Sequence, residues 1–302
     1  MKTRQTLGII AGISAASIRG GMYVVSKVVL EMIPPFSLLT LRLLLGILGL
    51  GIFVGRRPGF KFDRSQGIAV IIIGVIGYGI SLGFQLVGTK LSSASNGAVV
   101  TSATPAFIFL FAYWIWAESI SRRRIAALLL STIGVIIVVD PRSALLSSDQ
   151  FWGNLSLVGA ALTWALYSVL IRKVTQDLNT LAVSFAAFLG GLLVAFPIGL
   201  WENSYQTWGN ITFSVVAGVM YLGIISTGLA AFLWNKAFEI LDAGVASMTF
   251  FAQPIVGAIF AVALLDENLS AFLVIGGALI GIGLWLAASE KTSSQGDLCE
   301  SY

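Results

Sequence analysis

The chain is dominated by apolar runs that contain no charged residue and are long enough to cross a lipid bilayer. A bilayer core of about 30 Å takes about 20 apolar residues as a helix. The charge-free runs of that length are Ser65–Thr89, Leu91–Ala117, Gln150–Ile171, Leu178–Trp201, Asn203–Asn235, Ala243–Leu265 and Asn268–Ser289. A soluble domain carries about 25% charged residues, whereas this chain carries 11% and is 57% hydrophobic. The runs therefore predict a membrane protein and exclude an ordinary soluble enzyme.

Three further apolar segments complete a prediction of ten transmembrane helices in an all-α polytopic fold. Leu7–Leu30 and Phe36–Gly55 contain one or two internal cations, and Ile125–Val139 is short but follows three arginines that can reach the interface. The predicted spans are 7–30, 36–55, 67–88, 95–117, 124–140, 153–173, 180–200, 211–236, 244–265 and 271–289.

The distribution of basic residues predicts the orientation. Of the 18 Lys and Arg residues, thirteen fall on the side of the N-terminus, and only Lys90 and Arg142 fall on the other side. The remaining three, Arg19, Lys27 and Arg42, lie inside spans. Because cytoplasmic loops are enriched in Lys and Arg, we expect both termini in the cytoplasm and the chain in a bacterial or archaeal plasma membrane.

The sequence also contains an internal repeat. The segment AGVASMTFFAQPIVGAIFAVALLDENLS matches ASNGAVVTSATPAFIFLFAYWIWAESIS, 149 residues earlier, and Gly74 meets Gly223 at the same offset. Nearer the N-terminus the offset is about 145, which places Arg19 over Trp164. The predicted units are residues 1–143, residues 144–289 and a disordered cytoplasmic tail, 290–302. Since five helices per unit is an odd number, the two copies cross the membrane in opposite directions around a central cavity, a plan typical of alternating-access transporters.

These residues resemble the EamA-type members of the drug/metabolite transporter superfamily over about 7–289. The resemblance rests on TPAFIFLFAYWIWAES, QPIVGAIFAVALLDEN followed by IGGALIGIGLWL, GAALTWALYSVLIRK, and PPFSLLTLRLLLG with Pro35 and Arg42 in place. It implies ten helices around a central cavity and the export of small metabolites such as amino acids, although some members import. Where the family often has Trp-Gly in its first helix, this chain has Arg19-Gly20.

Arg19 is the strongest candidate for a binding residue, because it lies near the middle of the first span. A cation there costs about 2.5–3.5 kcal/mol on insertion scales and usually faces a cavity or a partner. Every Asp and Glu lies near a span end, in a loop or in the tail. We expect an anionic group of the solute, such as a carboxylate, to pair with Arg19. The alternative is that Arg19 extends to the interface or donates to backbone carbonyls near Gly20 and Gly21.

Polar and aromatic residues at helical spacing predict which faces line the cavity, because polar groups exposed to lipid are costly. The predicted substrate-binding residues are Arg19, Tyr78, Gln85, Thr101, Thr104, Trp164, Tyr167, Trp234, Asn235 and Gln253. An interfacial aromatic belt or helix packing is the alternative for the aromatic members.

Two prolines and two glutamates are candidates for gating or structural roles. Pro105 and Pro254 fall near the middle of predicted spans, where proline kinks a helix and frees a carbonyl. Glu118 and Glu267 each precede a helix, and we expect each carboxylate to cap that following helix. Gating is the alternative role for the glutamates, and static packing is the alternative for the prolines.

We therefore expect a secondary transporter of a small polar or amphipathic metabolite, amino-acid-like or an organic acid, with efflux as the direction. An importer or exchanger is the nearest alternative, and a channel or a membrane receptor without transport is the alternative from another class. An intramembrane enzyme is disfavoured, because the chain lacks His and the HExxH and GxSxG motifs. Without a carboxylate at mid-depth, facilitated diffusion or exchange is favoured over proton coupling through such a group.

Composition also limits cofactors and partners. With no His and a single Cys, the sequence predicts no metal site and no cofactor. The net charge of +4 is small and dispersed, so no nucleic-acid partner is expected. The expected partners are a small-molecule solute and the bilayer. Gly277 and Gly281 form a GxxxG pair, which predicts close helix packing either within the chain or in a homodimer.

Overall fold

The computed structural model describes residues 2–54, 63–116, 122–139, 147–241, 246 and 249–288, and the regular elements among them are all helical. The α-helices are α1 (Lys2–Val29), α2 (Pro35–Val54), α3 (Arg64–Gly74), α4 (Leu82–Leu91), α5 (Ala94–Thr101), α6 (Thr104–Trp116), α7 (Arg122–Val139), α8 (Ser148–Asp177), α9 (Thr180–Glu202), α10 (Phe213–Met220), α11 (Ala230–Ile240), α12 (Ala252–Leu265) and α13 (Ala271–Ala288). Two π-helical segments, π1 (Val75–Ser81) and π2 (Tyr221–Leu229), and a 3₁₀ turn at Thr249–Phe251 join them.

Six helical stretches in the described part of the chain are long and apolar enough to cross a membrane, with mean hydropathies between 1.4 and 2.2. They are Arg4–Val29, Arg64–Leu91, Ala94–Ile115, Ser148–Thr175, Thr180–Glu202 and Phe213–Ile240. Shorter apolar helices occupy Pro35–Gly51, Ile125–Val138, Ala252–Leu265 and Ala271–Gly283. The described part of the chain is therefore all helical, and its long apolar helices are those of a multi-pass membrane protein.

Two predicted spans differ from the continuous helices expected. The span predicted over 95–117 is divided between α5 and α6, because Pro105 has no N–H to donate to the Thr101 carbonyl. The Thr104 hydroxyl donates to that carbonyl instead, at 2.6 Å. The span predicted over 244–265 likewise contains a 3₁₀ turn before α12, close to Pro254. Both prolines lie in the first turn of a helix, where a missing N–H costs little, rather than in the interior of a helix.

The π-helical segments occupy related positions in the sequence. Residues of π1 coincide with residues of π2 when 149 is added to their numbers, and Tyr78 then meets Thr227. Both side chains are buried. Such wide turns are rare and often occur at functional sites.

Glycines allow α7 and α13 to approach closely. A Cβ added to Gly134 would lie 2.6 Å from the Gly276 carbonyl oxygen, and one added to Gly283 would lie 2.8 Å from that of Ala127. The GxxxG pair singled out in the sequence does not make this contact. A Cβ on Gly277 would meet only Val99, at 3.4 Å, and one on Gly281 would meet no described atom within 4 Å. The contact therefore uses Gly276 and Gly283, a different pair on the same helix.

Glycines also allow the π-helical segments to pack closely against their neighbours. A Cβ on Gly74, directly before π1, would lie 2.1 Å from the Ala187 carbonyl oxygen of α9. A Cβ on Gly223, within π2, would lie 2.5 Å from the Leu45 Cβ of α2. The main apolar core therefore joins both parts of the chain and includes Leu43, Phe188 and Trp234.

Candidate functional site

Arg19 lies on the buried face of α1 and is only 6% exposed. Ala15 and Ala16, one turn earlier, are also buried and leave space beside the long side chain. Gly20 packs against α12, since a Cβ there would lie 2.6 Å from the Gln253 carbonyl oxygen. These small residues bring α1 close to its neighbours and hold the guanidinium in the interior instead of letting it extend to the interface.

Two tryptophans face the Arg19 guanidinium. Its Cζ lies 3.9 Å from the ring centroid of Trp164 and 5.7 Å from that of Trp234. A cation over an aromatic face is stabilised by about 0.5–2 kcal/mol, which offsets only part of the cost of burying a charge. The buried Nε atom has no hydrogen-bond partner among the described residues. Arg19 is thus a buried cation whose hydrogen-bonding capacity is not fully used.

A cavity of about 20 Å³ lies beside Arg19, about enough for one water molecule. Among the predicted substrate-binding residues, those that line it are Arg19, Gln85, Thr101, Thr104, Trp164 and Gln253. Met22, Tyr23, Ser81 and Phe250 also line it and were not among them. The space is too small for a metabolite, so the described conformation is closed around the candidate site.

One side of the cavity is formed by a hydrogen-bonded group from α1, α5 and α12. The Tyr23 hydroxyl lies 2.6 Å from the Thr101 hydroxyl, and the Gln253 Nε2 donates to the same Thr101 oxygen at 2.8 Å. The Thr101 hydroxyl is also 2.6 Å from the Gly97 carbonyl. The sequence analysis did not predict Tyr23 as a site residue, although it lies one helical turn after Arg19.

Three of the other predicted residues, Tyr78, Tyr167 and Asn235, form an aromatic and polar network behind Trp164. The Tyr78 and Tyr167 hydroxyls are 3.1 Å apart, and the Tyr167 hydroxyl donates to the Asn235 Oδ1 at 3.0 Å. The Asn235 Nδ2 in turn donates to the Ser184 hydroxyl at 2.9 Å. Tyr78 meets Trp164 edge to face, with centroids 5.6 Å apart. These side chains are buried and hold the tryptophan ring that stacks on Arg19.

Arg42 on α2 is a second cation in the interior, and it is 1% exposed. Its Nε donates to the Thr227 hydroxyl at 3.2 Å, and its Nη2 lies 3.0 Å from the Met22 sulfur. Its Nη1 has no hydrogen-bond partner among the described residues. The sequence analysis placed Arg42 inside a span and in the family resemblance but not among the binding residues, although its position inside an apolar run is the same signal that singled out Arg19.

Glu267 caps a helix that is distant in the chain. Glu267 accepts hydrogen bonds from the backbone N–H groups of Ala94 and Ser95, at 2.8 and 3.0 Å, at the start of α5. The expectation that it caps the helix following it, α13, is therefore wrong for this residue. Asp266 adopts a left-handed conformation with φ 52° immediately before it, and the Leu273 N–H at the start of α13 donates to the Ser270 hydroxyl at 3.1 Å. Glu118 lies outside the described residues.

A larger cavity of about 790 Å³ lies elsewhere, near the ends of α8, α9 and α11. Its lining is largely apolar, and two of its charged residues, Lys236 and Glu239, form an ion pair of 2.5 Å. It contains neither buried arginine, so we place the candidate site at the smaller cavity. No group of three or more His, Cys, Asp or Glu side chains that could hold a metal ion lies within the described residues.

Comparison with known proteins gives the family. A model of the EamA-like transporter family matches residues 6–140 and again residues 151–289. The chain belongs to the EamA-like transporter family. A solved crystal structure of a protein 22% identical has the same fold, with a TM-score of 0.67 over 93% of this chain and 96% of that one.

Three relatives of this EamA-like transporter carry names of transporters. An uncharacterized transporter of Archaeoglobus fulgidus is 25% identical over 90% of this chain and 93% of that protein. The uncharacterized transporter YetK of Bacillus subtilis is 24% identical over 95% and 89%. A protein of Salmonella typhimurium named "Probable amino-acid metabolite efflux pump" is 24% identical over 87% and 89%.

Proposed function

We propose that this EamA-like transporter is a secondary carrier that exports a small organic acid or amino-acid-like metabolite by alternating access. The observation that carries the proposal is Arg19, a buried cation beside the closed cavity. It forms no ion pair with any carboxylate among the described residues, and its Nε has no hydrogen-bond partner there. A solute carboxylate placed in the opened cavity supplies the missing acceptors and the opposite charge.

We further propose that ten membrane spans form two inverted five-helix units, and the contacts of α7 with α13 support this arrangement. Adding 149 to the number of Gly134 gives Gly283, and subtracting 149 from that of Gly276 gives Ala127. The repeat therefore relates the pair Gly134 and Gly276 to the pair Gly283 and Ala127. Both pairs are close contacts. Because the residue numbers rise along one helix as they fall along the other, the two helices are antiparallel. Equivalent helices that are antiparallel are related by an axis perpendicular to their length, as in an inverted repeat.

In the proposed orientation, the protein lies in the plasma membrane with both termini in the cytoplasm. The end of the bundle that carries Glu202 and Glu267 then faces outward. Several bonds close this end. Glu202 on α9 accepts from the N–H groups of Phe36 and Ser37 at 2.9 and 3.0 Å. The Lys27 Nζ on α1 donates to the carbonyls of Thr89, Lys90 and Ser92 at 3.2, 3.0 and 2.5 Å. The described conformation then corresponds to a carrier closed to the outside.

Outward direction is proposed because a relative is named an efflux pump. We propose carriage without proton transfer through a carboxylate at mid-depth, because every Asp and Glu lies near a span end, in a loop or in the tail. Exchange of one solute for another fits this chemistry.

A thermal-shift screen of the purified protein against amino acids, organic acids and amines tests the proposal, followed by counterflow of each stabilising compound in proteoliposomes. We expect an acid to stabilise the wild-type protein and to exchange, and we expect Arg19→Ala to remove both effects. Cells loaded with that acid should release it faster when they produce the protein. Stabilisation without counterflow would identify a binding protein instead, and counterflow restricted to amines would contradict the role given to Arg19.

A further inference from the structure

Arg42 is separated from the candidate cavity by the side chain of Met22. Met22 lies three residues after Arg19 on α1 and lines the cavity. On its other side, its sulfur is 3.0 Å from the Arg42 Nη2. The Gln85 Nε2, which also faces the cavity, is 3.8 Å from the same sulfur. An unbranched thioether changes conformation easily and is a weak acceptor, so Met22 is a barrier that a stronger acceptor can displace.

The two arginines leave a double positive charge in the interior. Arg42 contacts the neutral Thr227 hydroxyl and a thioether, while Arg19 contacts aromatic rings. One nitrogen of each, the Arg42 Nη1 and the Arg19 Nε, is buried without a hydrogen-bond partner among the described residues. Buried guanidinium groups ordinarily bond to carboxylates, often with two parallel hydrogen bonds. Neither arginine forms an ion pair with a carboxylate in the described ranges.

We infer that Arg42 is a second anion-binding residue and that the solute is a small dicarboxylate, an inference that rests on the proposed function. One carboxylate pairs with Arg19 in the cavity. Displacement of Met22 gives the second carboxylate access to Arg42. A monocarboxylate neutralises one guanidinium and leaves the other as it is, so the second charge of the solute determines specificity.

Succinate and butyrate are matched probes, because both have four carbons and differ in the second carboxylate. In wild-type proteoliposomes we expect succinate counterflow to exceed butyrate counterflow by at least about tenfold, since one charged contact is gained. Arg42→Gln should remove this preference by lowering succinate counterflow, with butyrate counterflow changed less than about twofold. Arg42→Lys, which keeps the charge, should retain part of the preference.

A second measurement needs no variant. Succinate should raise the thermal unfolding temperature of the wild-type protein, whereas monomethyl succinate, which has the same skeleton and one negative charge, should raise it much less. Equal stabilisation by the two compounds would overturn the inference even if Arg42→Gln failed to fold. An equal loss of succinate and butyrate counterflow in Arg42→Gln would assign Arg42 a structural role instead.

The outcomes separate this inference from the proposed function. A wild-type protein that exchanges monocarboxylates as well as dicarboxylates overturns the second site and leaves acid transport intact. A wild-type protein that exchanges only amines and other solutes without a carboxylate overturns both.

Discussion

The two segments that match the family model, residues 6–140 (the first unit) and 151–289 (the second unit), have matched glycine contacts but different side chains beside the cavity. Glycines at positions 149 apart, such as Gly134 and Gly283, support equivalent helix contacts. At the offset of 145, however, Arg19 in the first unit corresponds to Trp164 in the second, and Arg42 corresponds to Ala187. The first unit therefore supplies the charges and the second supplies the ring on which Arg19 stacks. The glycine contacts are thus matched in the two units, whereas the side chains beside the cavity differ.

The largest expected effect comes from Arg19→Trp, which gives the first unit the residue type found at the equivalent position, Trp164, of the second unit. Arg19→Trp removes the cation that we assign to the solute carboxylate, and loss of one partner of a buried charge pair costs about 2–5 kcal/mol. We expect acid counterflow to fall at least about 30-fold. Thermal stability in detergent should not fall in parallel if charge loss is the cause. Unchanged counterflow would show that the difference between the units at this position has no part in transport.

The matched glycines test the shared packing. Gly134→Ala and Gly283→Ala each place a Cβ within 2.6–2.8 Å of a facing carbonyl oxygen, and overpacking costs about 1–3 kcal/mol. Both variants should lower the free energy of unfolding by similar amounts, measured by thermal or denaturant unfolding in detergent. Gly281→Ala is the control on α13, where a Cβ meets no described atom within 4 Å, and its effect should stay within about 0.5 kcal/mol. A large difference between the two matched variants would argue against equivalent packing.

The smallest expected effect concerns the two tryptophans of the second unit. Trp164→Phe weakens the aromatic face 3.9 Å from the Arg19 Cζ, whereas Trp234→Phe changes a ring at 5.7 Å. Both substitutions remove the same volume from a buried position, so they control for each other. Because a buried cation–π contact is worth about 1–2 kcal/mol and Phe keeps part of it, acid affinity in counterflow should change about fivefold for Trp164→Phe and about twofold for Trp234→Phe. The reverse order would mean that stacking on Arg19 does not organise the site.

Several features of the site were predictable from the sequence because their signals are local. A cation within an apolar run is costly wherever the helix packs, which singled out Arg19 and applies equally to Arg42. Helical spacing placed Gln85, Thr101 and Gln253 on inward faces, and all three line the cavity. Polar side chains avoid lipid whatever their partners are, so this inference needs no knowledge of the neighbouring helix.

Other features depend on residues far apart in the chain. Glu267 caps α5 through Ser95, 172 residues away in the chain, rather than the next helix, and the residue directly before it, Asp266, is left-handed. Arg42 reaches Thr227 across 185 residues. Nothing in the local sequence of a carboxylate or a guanidinium specifies which distant backbone or side chain will satisfy it.

The sequence by itself determined the membrane class, the helical fold and the family. Bilayer thickness and hydrophobicity act on each segment separately, and the repeat is recognised from the spacing of residues along the chain. The tertiary structure alone decided that Trp164 stacks on Arg19, that Met22 lies between Arg19 and Arg42, and that the cavity is closed. Those relations depend on how helices pack against one another, and packing is decided by contacts between segments that no single segment encodes.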